Sequence, residues 1–290
     1  ELYDARRAME PNWRHAEALA TPPVDGVLSS MLMPPMRRME RVAAVDVARV
    51  NATSIIFDFG KNLAGYTEVK LTAGVAAGHS VALEHGELYY PATGTLVNPY
   101  LQNDAYICSG AEKAGDTWAP TFVYHGFRYV VATGLPDTCL QVKAQCLTAI
   151  FVHTDMKRTG SIHVGDGGGD DIAATGTSTR TAQILALIHK SVVQTQLCNV
   201  HSLPTDCPTR EKRGWMGDAQ WTAEEASLNF DTSAFYANFL RTIGDVQMKG
   251  CRVTSKRYAL EPPYHTCCSP TLDQIHPVSE GVFSVFHFKT

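Results

Sequence analysis

The part of the 290-residue sequence richest in groups that could do chemistry is Pro204-Thr-Asp-Cys-Pro-Thr-Arg-Glu-Lys-Arg-Gly-Trp-Met-Gly-Asp-Ala-Gln220. Three carboxylates, Asp206, Glu211 and Asp218, fall within thirteen residues, with Trp215 between them. Hydrolysis of a glycosidic bond calls for such a set. One carboxylic acid protonates the leaving oxygen, a second carboxylate serves the water or the anomeric carbon, and an aromatic plate covers the C–H face of the sugar. On a helix, Glu211, Trp215 and Asp218 would share a face at i, i+4 and i+7. Gly214 and Gly217, each costing about 1 kcal/mol inside a helix, point instead to a loop with a short turn. The same residues admit a purely structural reading, in which Asp206 caps a helix starting near Pro208 and Glu211 pairs with Arg210, Lys212 or Arg213. Electrostatics adds a condition. Cations beside a carboxylate favour its ionised form, whereas a general acid must hold its proton. The chemical reading therefore needs Glu211 to face the other acids and its basic neighbours to face outward.

Composition narrows what else the chain could be. With 44% hydrophobic and 19% charged residues it can bury a sizeable core. A net charge of −4 gives no drive toward nucleic acid or an anionic membrane surface. No apolar run approaches the roughly 18 residues of a membrane span, and the start at Glu1 shows no basic-then-apolar leader. Eight cysteines without a C-x-x-C, and eleven histidines without an H-E-x-x-H, suggest scattered thiols and imidazoles. No metal and no cofactor are expected. Asn51-Ala52-Thr53 fits a glycosylation sequon, which matters only in a secreted chain.

Two kinds of element must position the acidic segment. Short β-branched and aromatic runs fill the first half: 54–59, 65–72, 80–85, 104–108, 122–124, 127–132 and 141–153. Their Gly, Pro and Asn punctuation predicts an antiparallel β-sandwich. From Gly160 to Gly176 the chain is rich in Gly, Asp, Ser and Thr and reads as a connector. Beyond it, Ile184, Leu187, Ile188, Val192 and Val193 recur at helical spacing. So do Tyr236, Phe239, Leu240, Ile243 and Val246, after a cap-like Asp231-Thr-Ser233. The last forty residues, 251–290, show no period and read as a loosely packed or disordered tail.

The acidic segment resembles the signature of the α-L-rhamnosidases of glycoside hydrolase family 78. The likeness extends to Glu1-Leu-Tyr-Asp-Ala-Arg6, Pro34-Pro-Met-Arg37, Phe57-Asp-Phe-Gly-Lys-Asn-Leu-Ala-Gly65, His85-Gly-Glu-Leu88 and Phe122-Val-Tyr-His-Gly-Phe-Arg-Tyr129. The resemblance implies a β-sandwich followed by an (α/α)6 barrel that hydrolyses terminal α-L-rhamnose with inversion. It implies that Glu211 is the general acid, that Asp206 and Asp218 hydrogen-bond rhamnose hydroxyls, and that Trp215 walls the sugar site. The general base would come from a much later barrel helix, and neither Glu261 nor Glu280 sits in a segment resembling it.

The expected organisation is a sandwich over residues 1–158, the first helices of an incomplete barrel over 159–250, and an aberrant tail over 251–290. The partners expected are rhamnose-containing glycosides or polysaccharides, with no nucleic acid and no membrane, and no oligomeric state is indicated. Such a piece should have little activity alone, and its apolar stripes at 184–193 and 235–246 should lack partners. Two other readings stay open: a non-catalytic carbohydrate-binding or interaction sandwich, and an (α/α)6 glycosidase of other sugar specificity.

Overall fold

The computed structural model describes residues 1–7, 16–18, 30–140, 146–162 and 180–245. The expected tail, most of the expected connector and Val246 lie outside the described residues. The described residues fall into two compact units. One is drawn from Glu1–Leu32 and Arg37–Val152, the other from Met33–Met36 and His153–Thr290.

The first unit is built of strands. They are β1 (Leu2–Asp4), β2 (Met36–Ala43), β3 (Asp46–Arg49), β4 (Ser54–Lys70), β5 (Ser80–Gly86), β6 (Leu88–Tyr90), β7 (Thr95–Val97), β8 (Asn103–Ile107), β9 (Thr117–Trp118), β10 (His125–Thr133) and β11 (Leu147–Thr154). Among the described residues nine of them form one curled network in the order β1-β8-β5-β10-β4-β11-β2, with β3 and β9 also on β4, while β6 and β7 pair separately. Strands β3, β4, β5, β8, β9, β10 and β11 pair antiparallel, whereas β1 runs parallel to β8. The expectation of a purely antiparallel sandwich is corrected to that extent.

β4 organises this unit. The sequence divides it into two strands at Gly60, yet it runs unbroken for 17 residues. Gly60 adopts φ +75°, and its N–H bonds the Asp58 side chain at 2.7 Å. Glycine takes that conformation without a Cβ penalty, so it kinks the strand rather than ending it. The register of β10 on β4 shifts just beyond, between Phe127 and Tyr129. Arg128 on β10 forks onto Asp58 of β4 with two bonds of 2.8 Å. The guanidinium holds the Asp58 carboxyl below the usual carboxylate range. Phe57, Phe59, Leu63, Leu83, Phe127, Leu147 and Ile150 fill the core, with Phe59 and Phe127 meeting edge to face at 5.8 Å.

Three local expectations need correcting. Residues 122–124 form no strand, and Phe122 is 90% exposed. The run expected over 141–153 yields a strand only from Leu147, and 141–145 lie outside the described residues. Nor are all the thiols scattered: Cys139, in the 3-10 helix Asp137–Leu140, is joined to Cys146 in a disulfide with Cα atoms 5.6 Å apart.

The second unit carries α1 (Arg180–Leu197), α2 (Met216–Asn229) and α3 (Ser233–Asp245). The side chain of Asp231 accepts from both the hydroxyl (2.8 Å) and the N–H (3.4 Å) of Ser233, as the cap-like reading of that segment anticipates. Ala219, Ala223 and Ala226 give α2 a thin buried face, which packs in one cluster with Phe235, Tyr236 and Phe239 of α3 and Val193 of α1. The apolar stripe of α3 is therefore core. The stripe of α1 is not: Ile184, Leu187, Ile188 and Val192 are exposed, and of the five stripe residues only Val193 is buried.

Candidate active site

The acidic segment is a loop leading into α2, with a turn at 208–211 and no helix near Pro208. The capping reading of Asp206 is therefore set aside. Asp206 instead closes the loop on itself. Its N–H donates to the Arg213 carbonyl (3.0 Å), and its Oδ1 accepts the Arg213 N–H (2.9 Å). The Cys207 thiol donates to Asp206 Oδ2 at 3.0 Å, and its sulfur accepts the Glu211 N–H at 3.4 Å. Lys212 sits at φ +52°, a left-handed conformation that lets the chain reverse between Glu211 and Arg213. Gly214 is buried, and a Cβ there would come within 2.9 Å of Leu203 Cδ1. A larger residue at that point would push the end of the Leu203 side chain aside.

Glu211 and Trp215 form a pair. The Trp215 indole N–H donates to Glu211 Oε2 at 2.8 Å, and the Arg210 guanidinium donates to Oε1. Both carboxylate oxygens are therefore occupied as acceptors. The outward placement of basic neighbours that the acid role requires is met for Arg213, which is exposed, but not for Arg210.

The other two acids face a cavity of about 1090 Å³ between α1 and α2. Asp206, Asp218 and Trp221 line it, with Ile184, Leu187 and Ile188 on the α1 side. Glu211 and Trp215 are not among its lining residues. The structure thus brings Asp206 and Asp218 to one cavity and couples Glu211 to Trp215 beside it.

Glu225, also on the cavity wall, was not singled out from the sequence. Burial raises its carboxyl above the usual range, against the opposing effect of the Asn229 Nδ2–H donated to it at 2.9 Å. The Asn229 carbonyl oxygen in turn accepts His189 Nε2–H at 2.7 Å. The spacing of Glu225 seven residues after Asp218, on the same helix face, was the available signal.

Among the described residues one group has the composition of a metal centre: His85, Asp104 and His125 in the first unit, all buried, with ligand atoms within 4.8 Å of one another. Hydrogen bonds already engage those atoms. His85 Nδ1 faces the Gln102 carbonyl at 3.0 Å and must donate there, so Nε2 accepts the Thr67 hydroxyl at 3.1 Å. His125 Nε2 donates to Asp104 Oδ2 at 3.0 Å. Burial first, and His125 second, push the His85 imidazole down to about 3, so it stays neutral. Burial opposes ionisation of Asp104, but the hydrogen bond from His125, the adjacent imidazoles and the Glu1 ammonium at 2.7 Å hold its carboxyl below the usual range. The group reads as a buried polar network that fixes β5, β8 and β10 to one another.

The comparisons with known proteins fit both units. Residues 48–153 match the family described as the bacterial α-L-rhamnosidase concanavalin-like domain, and residues 173–263 match the bacterial α-L-rhamnosidase 6 hairpin glycosidase domain. An α-L-rhamnosidase of Formosa agariphila is 30% identical over 263 residues, covering 84% of this chain and 25% of its own length. One from Streptomyces avermitilis is 26% identical, covering 85% and 23%. Among solved structures, the α-L-rhamnosidase from Dictyoglumus thermophilum superposes with a TM-score of 0.71 at 31% identity, over 88% of this chain and 28% of that one. The Streptomyces avermitilis α-L-rhamnosidase complexed with L-rhamnose gives 0.63 at 26% identity, over 76% and 20%. The class is that of glycosidases in which a concanavalin-like β domain precedes a six-hairpin domain. Within it, the chain belongs to the α-L-rhamnosidases, glycoside hydrolase family 78. It spans about a quarter of the length of the curated relatives it matches.

Proposed function

We propose that this chain carries the β domain and the acid-bearing opening of an inverting α-L-rhamnosidase acting on terminal rhamnose of rhamnosides. Residues 1–158 form the sandwich domain, 159–250 begin an (α/α)6 barrel of which α1 to α3 are the first helices, and 251–290 are assigned to neither. Glu211 is the general acid, Asp206 and Asp218 hold sugar hydroxyls, and Trp215 forms an aromatic wall. The observation that supports the reading is that a self-bonded loop and the first turn of the helix it leads into, within the segment matched to the glycosidase domain, present Asp206 and Asp218 to the same cavity, with Trp215 bonded to Glu211.

Chemistry follows from that arrangement. Inversion takes an acid on the glycosidic oxygen and a base about 6.5–9.5 Å away that activates water. Glu211 supplies the first. No residue of this chain is assigned as the second, so little turnover is expected from it alone. The Trp215 indole keeps one Glu211 oxygen fixed while the other is free to carry the proton once Arg210 swings off.

The test compares the chain with Glu211→Gln on 4-nitrophenyl and phenyl α-L-rhamnosides. Loss of a general acid costs about 10²–10⁴-fold, and the loss should be larger for the phenyl compound, whose leaving oxygen depends more on protonation. Equal, negligible release by both proteins favours the non-catalytic carbohydrate-binding or interaction sandwich, or an inert fragment. Release from a different aryl glycoside favours a barrel glycosidase of other specificity.

A further inference from the structure

The turn joining β3 to β4 has a chemistry that the sugar site does not use. Asn51, Ala52 and Thr53 are all exposed there. The Asn51 side-chain oxygen accepts three hydrogen bonds, from the Thr53 N–H (2.9 Å), the Ser54 N–H (3.0 Å) and the Thr53 hydroxyl (3.2 Å). Two of those donors are backbone N–H groups, so the atom facing them must be oxygen and the amide orientation is fixed. Nδ2 is thereby left on the other side of the planar amide, with no hydrogen bond to any described residue. An exposed asparagine with a free amide nitrogen and a threonine hydroxyl two residues on is what an Asn-X-Thr acceptor requires. Asn51 is the only asparagine of the sequence in that triplet.

A second, independent observation concerns the compartment. Disulfides persist where the surroundings are oxidising, and the same unit holds the Cys139–Cys146 bond. The two features are tied together. Arg49, at the end of β3, holds the carbonyl of Ala52 at 3.3 Å and pairs with Asp137 at 2.6 Å. Asp137 opens the 3-10 helix that contains Cys139. The N–H of Gly134 donates to the Thr53 carbonyl at 3.2 Å, and the hydroxyls of Ser54 and Thr133 meet at 2.9 Å. The sequon turn and the disulfide-bearing segment therefore lie side by side. Cys108 and Cys198, two of the cysteines outside the disulfide among the described residues, are buried, which shields them in such a compartment.

We infer that Asn51 is an N-glycosylation site and that this chain matures in an oxidising, secretory compartment. The transfer joins Asn51 Nδ2 to the anomeric carbon of an oligosaccharide. It breaks that carbon's bond to the pyrophosphate of a lipid-linked donor and releases one Nδ2 proton with the lipid pyrophosphate. Because the Asn51 oxygen and not its nitrogen holds the turn, the glycan can be attached without loss of the three hydrogen bonds.

The full chain, directed through the secretory pathway of a yeast behind a cleavable leader, tests this. Secreted and cell-retained pools are both read by intact mass, so a failure of export does not hide the result. One N-glycan is expected, removed by peptide N-glycosidase with conversion of Asn51 to aspartate. It should be absent from Asn51→Gln and Thr53→Ala and kept in Thr53→Ser. Peptides mapped without reduction should contain linked Cys139 and Cys146. An unmodified wild-type chain, a glycan that persists in Asn51→Gln, or free alkylation of both cysteines would overturn the inference.

Discussion

The two units use similar sequence signals to different ends. In the β unit, apolar residues of β4, β5, β10 and β11 all find partners, and Phe57, Leu63, Leu83 and Phe127 have no exposed surface. In the helical unit, α3 buries Phe235, Tyr236 and Phe239, whereas α1 leaves Ile184, Leu185, Leu187 and Ile188 about half exposed. Periodicity specifies that a face is apolar, but whether the face is covered depends on what the rest of the structure brings to it. The expectation that both helical stripes lack partners therefore holds for α1 and fails for α3, because the alanine face of α2 and the ring of Phe230 complete a core around the α3 aromatics.

Mutation should sharpen this contrast. Phe57→Ala, at a site with no exposed surface, should destabilise the β unit by about 3–5 kcal/mol in urea unfolding followed by near-ultraviolet dichroism. A cost below about 1 kcal/mol would mean that this core is not close-packed. Next in size, replacing Cys139 and Cys146 together by serine should cost about 2–3 kcal/mol, since the bridge closes a short loop. The comparison with the oxidised wild type under the same titration decides it.

Acid should weaken the β unit through its buried imidazole. His85 is held down to about 3 in the folded chain, so between the ordinary imidazole range near 6.5 and that value only the unfolded chain binds the proton. Stability therefore falls as pH drops through this window, by at most about 1.4 kcal/mol per pH unit for one proton. Asp104, held low, adds to the loss at the acid end. Unfolding between pH 7 and pH 4 should show this slope, and His85→Gln should flatten it. An unchanged slope in the variant removes His85 from the account. The smallest effect belongs to α1: Ile188→Lys, 54% exposed, should change stability by no more than about 0.5 kcal/mol while lowering binding of an apolar dye.

Much of the fold was legible because the strands and helices are dense in the residues that favour them. What escaped was set by contacts distant in sequence. Gly60 reads as a stop, yet Asp58 and the neighbouring strands carry β4 through it. The His85, Asp104 and His125 network joins residues that only the folded sheet makes neighbours, and the Cys139–Cys146 bridge, though local, has no motif spacing to announce it. At the candidate site, residue types and the loop were readable from Asp206 to Asp218. The division of labour was not, because no spacing rule places Asp206 and Asp218 on a cavity and Glu211 under the Trp215 indole. The seven-residue spacing of Glu225 from Asp218 is a weak signal that gains weight only with the burial of its carboxyl.

The length of β4 also sets a problem of timing. Its neighbour β3 is made just before it, but β9, β10 and β11 all follow later in the chain. Roughly 50 residues must be added after Lys70 before the first of them emerges, about 3–10 s of synthesis at about 5–20 residues per second. For that interval Ile55, Ile56 and Phe57 have one free edge, and Phe59 and Leu63, which β3 does not reach, are paired on neither side. An unpaired apolar edge is a template for pairing with other chains. Yield in the cell should accordingly depend on how quickly residues 117–154 are delivered, and a translational pause placed between Lys70 and Thr117 should send more of the chain into aggregates.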